Sequence, residues 1–238
     1  MTGKFYGLGV GPGDPELITL KARRILQEVP VLAVPTSSEC GRSSLALEVV
    51  KQFIRPEQET LYLFLPMSRD PAYLKGSWKS AAEKLVDKLR EGKDVAFLTL
   101  GDASLYSTYS YLVEMIRKLD PGVSVETVPG ITSFSAAAAR LNIPLATGEE
   151  PLAIIPALQK PEILEELIPR FPNLVLMKVA RHYDDIVRIL ARTGVVKNAV
   201  LATRCGQEGE SFSWDLEAGV GQKQDYLSLI IVKGRDGA

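Results

Sequence analysis

Three short loops hold the residues best suited to chemistry. The stretch Gly101-Asp102-Ala103-Ser104-Leu105-Tyr106-Ser107-Thr108 puts a carboxylate, small hydroxyls and a phenol within eight positions. A carboxylate in such a place can cap the next helix, accept hydrogen bonds from ribose hydroxyls, or face a cationic ligand. Asp102 and Tyr106 are therefore candidates for proton handling, and no general base is fixed by sequence. A second loop, Pro129-Gly130-Ile131-Thr132-Ser133-Phe134, runs into four alanines, Ala136 to Ala139, which suit close helix packing. The third is Gly9-Val10-Gly11-Pro12-Gly13-Asp14-Pro15-Glu16. Asp14 suits a helix N-cap, Pro15 the first helical position and Glu16 the positive end, so a helix beginning at Asp14 is expected. Capping explains Asp14 and Pro15 without a ligand. It does not explain Gly11 and Gly13 on either side of Pro12, which fit a close approach of backbone to a ligand.

The glycine run is not a dinucleotide fingerprint. Counting G-x-G-x-x-G from Gly7 ends on Pro12, and counting from Gly9 ends on Asp14. Neither register supplies the third glycine that lets helix and strand pack closely. No Gly-Lys-Ser/Thr follows, so it is not a Walker A loop either. The chain has two cysteines, Cys40 and Cys205, and one histidine, His182. That set cannot make a structural zinc site, and no protein-bound metal is expected; His182 suits a surface position at a helix start. A net charge of −1 gives no global pull toward nucleic acid. No apolar run reaches the ~18 residues that span a bilayer, and no basic-then-apolar leader opens the chain, so a cytoplasmic location is expected.

The elements that must position these loops follow from apolar rhythm. In the first half, strand patterns at Lys4–Val10, Val29–Val34, Thr60–Leu65, Val95–Leu100 and Val123–Val128 alternate with helical patterns. The helical patterns are Ile18 to Val29, Leu45 to Phe53, Ala81–Arg90 closed by Gly92, and Thr108–Leu119 closed by Pro121-Gly122. Such alternation predicts a mainly parallel five-stranded sheet covered on both faces. The second half has strand patterns at Leu152–Ala157, Asn173–Val179, Ala199–Arg204, Glu210–Leu216 and Leu227–Val232, with helices at Pro161–Ile168 and Tyr183–Thr193. Its last three strands follow one another closely, which predicts a mixed sheet. The fold class is therefore α/β, as two α/β domains at residues 1–130 and 131–238. In open parallel sheets ligands sit beyond the carboxyl ends of the strands, which is where all three loops fall.

Together, Gly9-x-Gly11-Pro12-Gly13-Asp14-Pro15-x-Leu17-x-Thr19-x-Lys21-Ala22, Gly101-Asp102 and Val128-Pro129-Gly130-Ile131-Thr132-Ser133 resemble the tetrapyrrole methylase family over nearly the whole chain. Leu176-Met177-Lys178 and Tyr226–Val232 extend the likeness. Within the family, Gly101 to Thr108, Phe64-Leu65-Pro66-Met67 and Val175 to Val179 resemble the enzymes that methylate C-20 of a corrin precursor. Ala103 stands where the common family motif has proline, a departure that fits the C-20 branch. The resemblance implies S-adenosylmethionine as methyl donor, a ligand cleft between the two domains, a small-molecule tetrapyrrole substrate and a homodimer, with neither nucleic acid nor membrane as partner. It implies donor contacts from Gly101, Asp102, Leu105, Tyr106, Thr132, Ser133, Met177, Arg204 and Leu227, and substrate contacts from Pro12, Gly13 and Asp14. A macrocycle with eight carboxylates calls for cations, for which Arg42, Lys75, Lys79 and Arg204 are candidates. The loops Thr36–Ser44 and Pro66–Ser77 are candidate covers. Whether the ring already holds cobalt, and whether the protein transfers a methyl group or only carries the macrocycle, stay open here. So does an RNA or protein acceptor, as in other branches of the family.

Overall fold

In the computed structural model, which describes residues 2–38, 44–68, 70–156 and 160–234, the chain forms two compact units, Met1–Thr132 and Ser133–Ala238. Five strands build the first unit's sheet: β1 (Phe5–Gly9), β2 (Val31–Thr36), β3 (Glu59–Phe64), β4 (Val95–Thr99) and β5 (Val125–Val128). Every pairing is parallel, in the order β3-β2-β4-β1-β5. Four helices connect them: α1 (Leu20–Glu28), α2 (Leu45–Val50), α3 (Pro71–Arg90) and α4 (Tyr109–Leu119).

Successive strand residues point to opposite faces, and the helices divide accordingly. Phe5, Val31, Ala33, Leu63, Val95 and Phe97 pack with the inner faces of α3 and α4. Leu8, Leu32, Val34, Ala96 and Leu98 pack with those of α1 and α2. Burial on both faces is why β2 and β4 read as unbroken apolar runs. The chain leaves β1 toward β2 and leaves β4 toward β5, so adjacent strands β1 and β4 send their helices to opposite faces. Their carboxyl ends form a topological switch point, the place where open α/β sheets bind ligands.

The second unit begins with α5 (Ser133–Leu141), which packs on its sheet at β10 (Ser228–Val232). Its other strands are β6 (Leu152–Pro156), β7 (Asn173–Met177), β8 (Ala199–Thr203) and β9 (Ser211–Ser213), with helices α6 (Leu164–Leu167) and α7 (Tyr183–Arg192). The sheet order is β6-β7-β10-β8-β9, parallel only between β6 and β7. The mixed sheet is as the sequence predicts. Its three closely spaced strands do not form a meander, because β10 inserts between β7 and β8 and leaves β9 at the edge. The residues of β10, all five buried, need neighbours on both sides, whereas the short Ser211–Ser213, with none of its residues buried, tolerates an edge.

Two expectations about helices are corrected. The helix expected at Asp14 is a single 3₁₀ turn, Pro15–Leu17. Ile18 then returns to extended backbone, and α1 starts under a new cap, Thr19, whose side chain accepts from the Ala22 N–H at 3.2 Å. Conversely α3 begins ten residues before the expected Ala81, so the candidate cover Pro66–Ser77 is helical from Pro71 onward. Asp70 accepts from the N–H groups of Ala72 and Tyr73, Pro71 fills the first position, and the Ser77 hydroxyl donates to the Phe64 carbonyl at 2.7 Å. None of residues 71–80 is buried, so apolar periodicity could not reveal this half of the helix. Most of the other candidate cover, Thr36–Ser44, with Arg42, lies outside the described residues, as does Ala157.

Candidate active site

The switch point of the first sheet is built from backbone. Beyond β1 and β4, Gly11 and Gly101 form an antiparallel bridge, with N–H to carbonyl distances of 3.2 and 2.7 Å. Both have left-handed backbone, at φ +81° and +74°, which is why glycine stands at each. Gly130, beyond β5, closes in from the other side. A Cβ on Gly130 would lie 2.2 Å from the Gly101 carbonyl oxygen, and one on Gly9 would lie 2.6 Å from the Gly130 nitrogen. Gly9, Gly101 and Gly130 are thus in backbone contact. A Cβ on Gly101 would meet no atom within 4 Å, so this residue presents bare backbone to open space.

Asp102 holds that arrangement in place. It is 9% exposed. One carboxylate oxygen accepts the Gly130 N–H at 2.8 Å; the other accepts the Ser104 N–H at 2.8 Å and the Ser104 hydroxyl. Burial alone would push its pKa up. Hydrogen bonds from Ser104, Gly130 and the Leu105 N–H outweigh it and leave the carboxyl below its ordinary value. A carboxylate so satisfied is a strong organiser and a weak base. Ala103 is fully buried in the core beside α4, and Tyr106 follows half-exposed with φ +50°. Tyr109 starts α4 with its ring in the space over Gly7 and its hydroxyl 2.9 Å from the Thr127 hydroxyl.

Pro12 is buried next to the bridging Gly11, with Gly13 and Asp14 half-buried beyond it. Asp14 accepts the Glu16 N–H at 2.9 Å and so serves the 3₁₀ turn. Lys75 and Lys79 are exposed on α3; Lys79 lies 3.8 Å from Glu83.

The second unit gathers its own candidates along one edge of its sheet. The end of β7, the end of β8 and the start of β10 lie side by side, through the pairs Leu229 with Met177 and Ser228 with Thr203. Met177, Arg204 and Leu227 therefore meet there, and the Arg204 N–H donates to the Leu227 carbonyl at 2.9 Å. Lys178 and Arg204, each immediately after its strand, take left-handed backbone at φ +57° and +50°. Non-glycine residues enter that region at a cost, and such strain gathers at ligand sites. The Arg204 side chain is engaged by Asp225, Nε to Oδ2 at 2.7 Å, and is not a free cation for a substrate carboxylate. Asp225 accepts the Leu227 N–H at 2.8 Å as well, and Arg204 first and Leu227 second hold its carboxyl below the ordinary value.

Tyr226, between Asp225 and Leu227, lies on the same edge and has no separate role expected from sequence. Its phenol is half-exposed on this edge and burial pushes its pKa up, so it is a hydrogen-bond donor at neutral pH. His182 lies just ahead of α7, and among the described residues no three His, Cys, Asp or Glu side chains gather closely enough for a metal.

The family model for tetrapyrrole (corrin/porphyrin) methylases matches residues 4–217. The chain belongs to this family. It is 37% identical over 97% of its length to the probable cobalt-precorrin-2 C(20)-methyltransferase of Methanocaldococcus jannaschii, 96% of which is covered. Against the cobalt-precorrin-2 C(20)-methyltransferase of Salmonella typhimurium the identity is 36%, over 98% of this chain and 97% of that one. The precorrin-2 C(20)-methyltransferase of a Sinorhizobium species is 30% identical, over 98% and 96%. Among solved structures, the uroporphyrin-III C-methyltransferase of Thermus thermophilus complexed with S-adenyl homocysteine aligns with a TM-score of 0.70 at 25% identity, over 97% of this chain and 92% of that one. The two sheets of this chain thus carry the family fold expected from its sequence.

Proposed function

We propose that this protein is an S-adenosylmethionine-dependent methyltransferase that methylates C-20 of cobalt-precorrin-2. The observation that carries this is near-full-length identity of 36–37% to two proteins named for that reaction, against 30% for the metal-free counterpart. The loop geometry supports it. The Cα face of Gly101 borders open space, while its N–H and carbonyl are held by Gly11, and Asp102 keeps three strand ends fixed around it. S-adenosylmethionine, when bound, supplies a methyl group already activated on a cationic sulfur, so the protein's task is mainly to position and to exclude water.

In this proposal Gly101, Asp102, Leu105, Tyr106 and Thr132 of the first unit, and Ser133, Met177, Arg204 and Leu227 of the second, hold the donor. Pro12, Gly13 and Asp14 face the macrocycle. Asp102 stays ionised and accepts hydrogen bonds, and the half-exposed Tyr106 is the remaining candidate for proton handling at C-20. The protein acts in the cytoplasm as a homodimer, which sedimentation velocity checks.

The decisive experiment incubates the protein with donor and cobalt-precorrin-2, and in parallel with metal-free precorrin-2. A gain of about 14 daltons, one methyl group in place of a proton, is expected on the cobalt substrate at the higher kcat/KM. A higher kcat/KM on the metal-free ring moves the assignment to the metal-free route. Macrocycle binding with no mass gain would make the protein a carrier.

A further inference from the structure

The turn from Arg204 to Glu210, between β8 and β9, holds three left-handed residues: Arg204 at φ +50°, Gly206 at +74° and Gly209 at +81°. Arg204 is the costly one, since its Cβ opposes that conformation. Something must fix a turn of this kind, and the side chain at its far end does so. One carboxylate oxygen of Glu210 accepts the Gly206 N–H at 2.7 Å. The other accepts both Nε and Nη2 of Arg140, at 2.9 and 2.7 Å. The Cys205 thiol also hydrogen-bonds to Glu210. Only 15% of the Glu210 side chain is exposed, against 65% of Arg140. Burial pushes the Glu210 carboxyl up, but the Gly206 N–H and Arg140 outweigh it and hold it below its ordinary value. A charged acceptor with this full donor set is a strong local tie.

The tie reaches two places that the proposed function uses. Glu210 grips the two residues that follow Arg204, while Asp225 and the Leu227 carbonyl grip Arg204 itself. Arg140 lies on α5, whose first residue, Ser133, is another proposed donor contact. We propose that Glu210 and Arg140 are positioning residues for the methyl donor: they set the backbone of Thr203 to Cys205 and hold it to α5. The proposal rests on the methyltransferase assignment, because it needs Arg204 and Leu227 at the donor.

The test uses the full chain in a Cys40→Ser background, so that Cys205, buried and with its thiol pushed up to about 11, is the single thiol. S-adenosylhomocysteine affinity is measured by calorimetry, Cys205 exposure by labelling with Ellman's reagent, and global stability by thermal melting. Glu210→Ala is expected to weaken S-adenosylhomocysteine about tenfold and to speed labelling of Cys205 by a similar factor. It should raise KM for the donor while kcat at saturating donor stays within about twofold. Glu210→Gln, which keeps an acceptor for Gly206, should recover most of the affinity. Arg140→Ala removes a mostly exposed side chain and should weaken the ligand about threefold, so the proposal stays testable even where Glu210→Ala does not fold. Affinity within about twofold of the parent in both Arg140→Ala and the folded Glu210 variants would overturn the positioning role, whatever the melting temperature does. If the parent itself binds no S-adenosylhomocysteine, the methyltransferase assignment falls, and this proposal with it.

Discussion

The two sheets solve one problem by opposite means. Each must bring backbone to the rim of its sheet in conformations that ordinary strands and helices do not supply. The first sheet does it by removing side chains: Gly9, Gly11, Gly101 and Gly130 let three strand ends touch, and one buried carboxylate, Asp102, ties them. The second keeps its side chains. Lys178 and Arg204 accept left-handed backbone, and Asp225 and Glu210 hold the Arg204 turn from outside. A rim made of glycine is fixed by what cannot be added to it. A rim made of strained residues is fixed by partners that can be taken away.

The largest effect should come from adding a methyl group to the first rim. In Gly130→Ala the new carbon would lie 2.2 Å from the Gly101 carbonyl oxygen, so backbone must move. A loss of at least ~3 kcal/mol by urea unfolding is expected, at the upper end for overpacking because the obstacle is backbone. A loss under ~1 kcal/mol would mean that the rim is loose, and the contrast between the sheets would dissolve.

Taking away the Asp102 tie comes next. Asp102→Ala strands the half-buried Gly130 N–H and should cost ~1–3 kcal/mol, with a matching drop in S-adenosylhomocysteine affinity by calorimetry. The pH dependence has a defined sign. Because the folded carboxyl lies below its ordinary value, its stabilisation is complete above the unfolded pKa of ~3.9 and is lost as pH falls through the folded one. Urea unfolding of parent and variant should therefore converge only well below about pH 4. Convergence near pH ~7 would mean a raised pKa, and Asp102 would return as a candidate base.

A reciprocal pair sharpens the comparison at a smaller scale. Gly101→Ala meets open space, so only its φ of +74° opposes it, for about 1 kcal/mol. Because that space is where the donor is proposed to sit, its affinity should fall more than stability does. Lys178→Gly runs the other way. Relief of left-handed strain exceeds the entropy that glycine loses on folding, and a gain of about 0.5 kcal/mol is expected from urea unfolding. A loss there would show that Lys178 is held by more than its strand end.

How much of this the sequence disclosed depends on which kind of rim is considered. The glycine rim was legible, because Gly11, Pro12 and Gly13 fit neither nucleotide fingerprint nor simple capping. The alternating apolar runs likewise disclosed both sheets, since burial on two faces leaves a plain pattern. The strained rim was hidden. Nothing in the letters of Lys178 or Arg204 signals left-handed backbone, and the partner of Arg204 is 21 residues away. The insertion of β10 between β7 and β8 was hidden too, since pairing order is decided by burial after collapse and not by chain spacing.

The smallest effects separate two copies of one dipeptide. Asp14-Pro15 and Asp70-Pro71 look alike, and both caps accept backbone N–H groups, yet they open elements of very different length. Asp70 caps the 20 residues of α3, whose second half buries Ala81, Ala82, Leu85, Val86 and Leu89. Asp14 caps three residues, none of them buried, before Ile18 turns extended and Thr19 caps afresh. The difference lies in the residues after the cap. Both caps are followed by an apolar stripe, but at Asp14 the extended Ile18 intervenes, and the stripe Ala22, Ile25 and Leu26 belongs to the helix that Thr19 caps. Asp70→Ala should therefore cost about 1 kcal/mol in urea unfolding, and Asp14→Ala only a few tenths. Equal costs would break this account, because Asp14 would then be fixing more than its own 3₁₀ turn. If Asp14→Ala instead leaves stability unchanged and raises KM for the tetrapyrrole, its carboxylate and the stiff Gly11-Pro12-Gly13 edge beside it are part of the wall that the substrate meets.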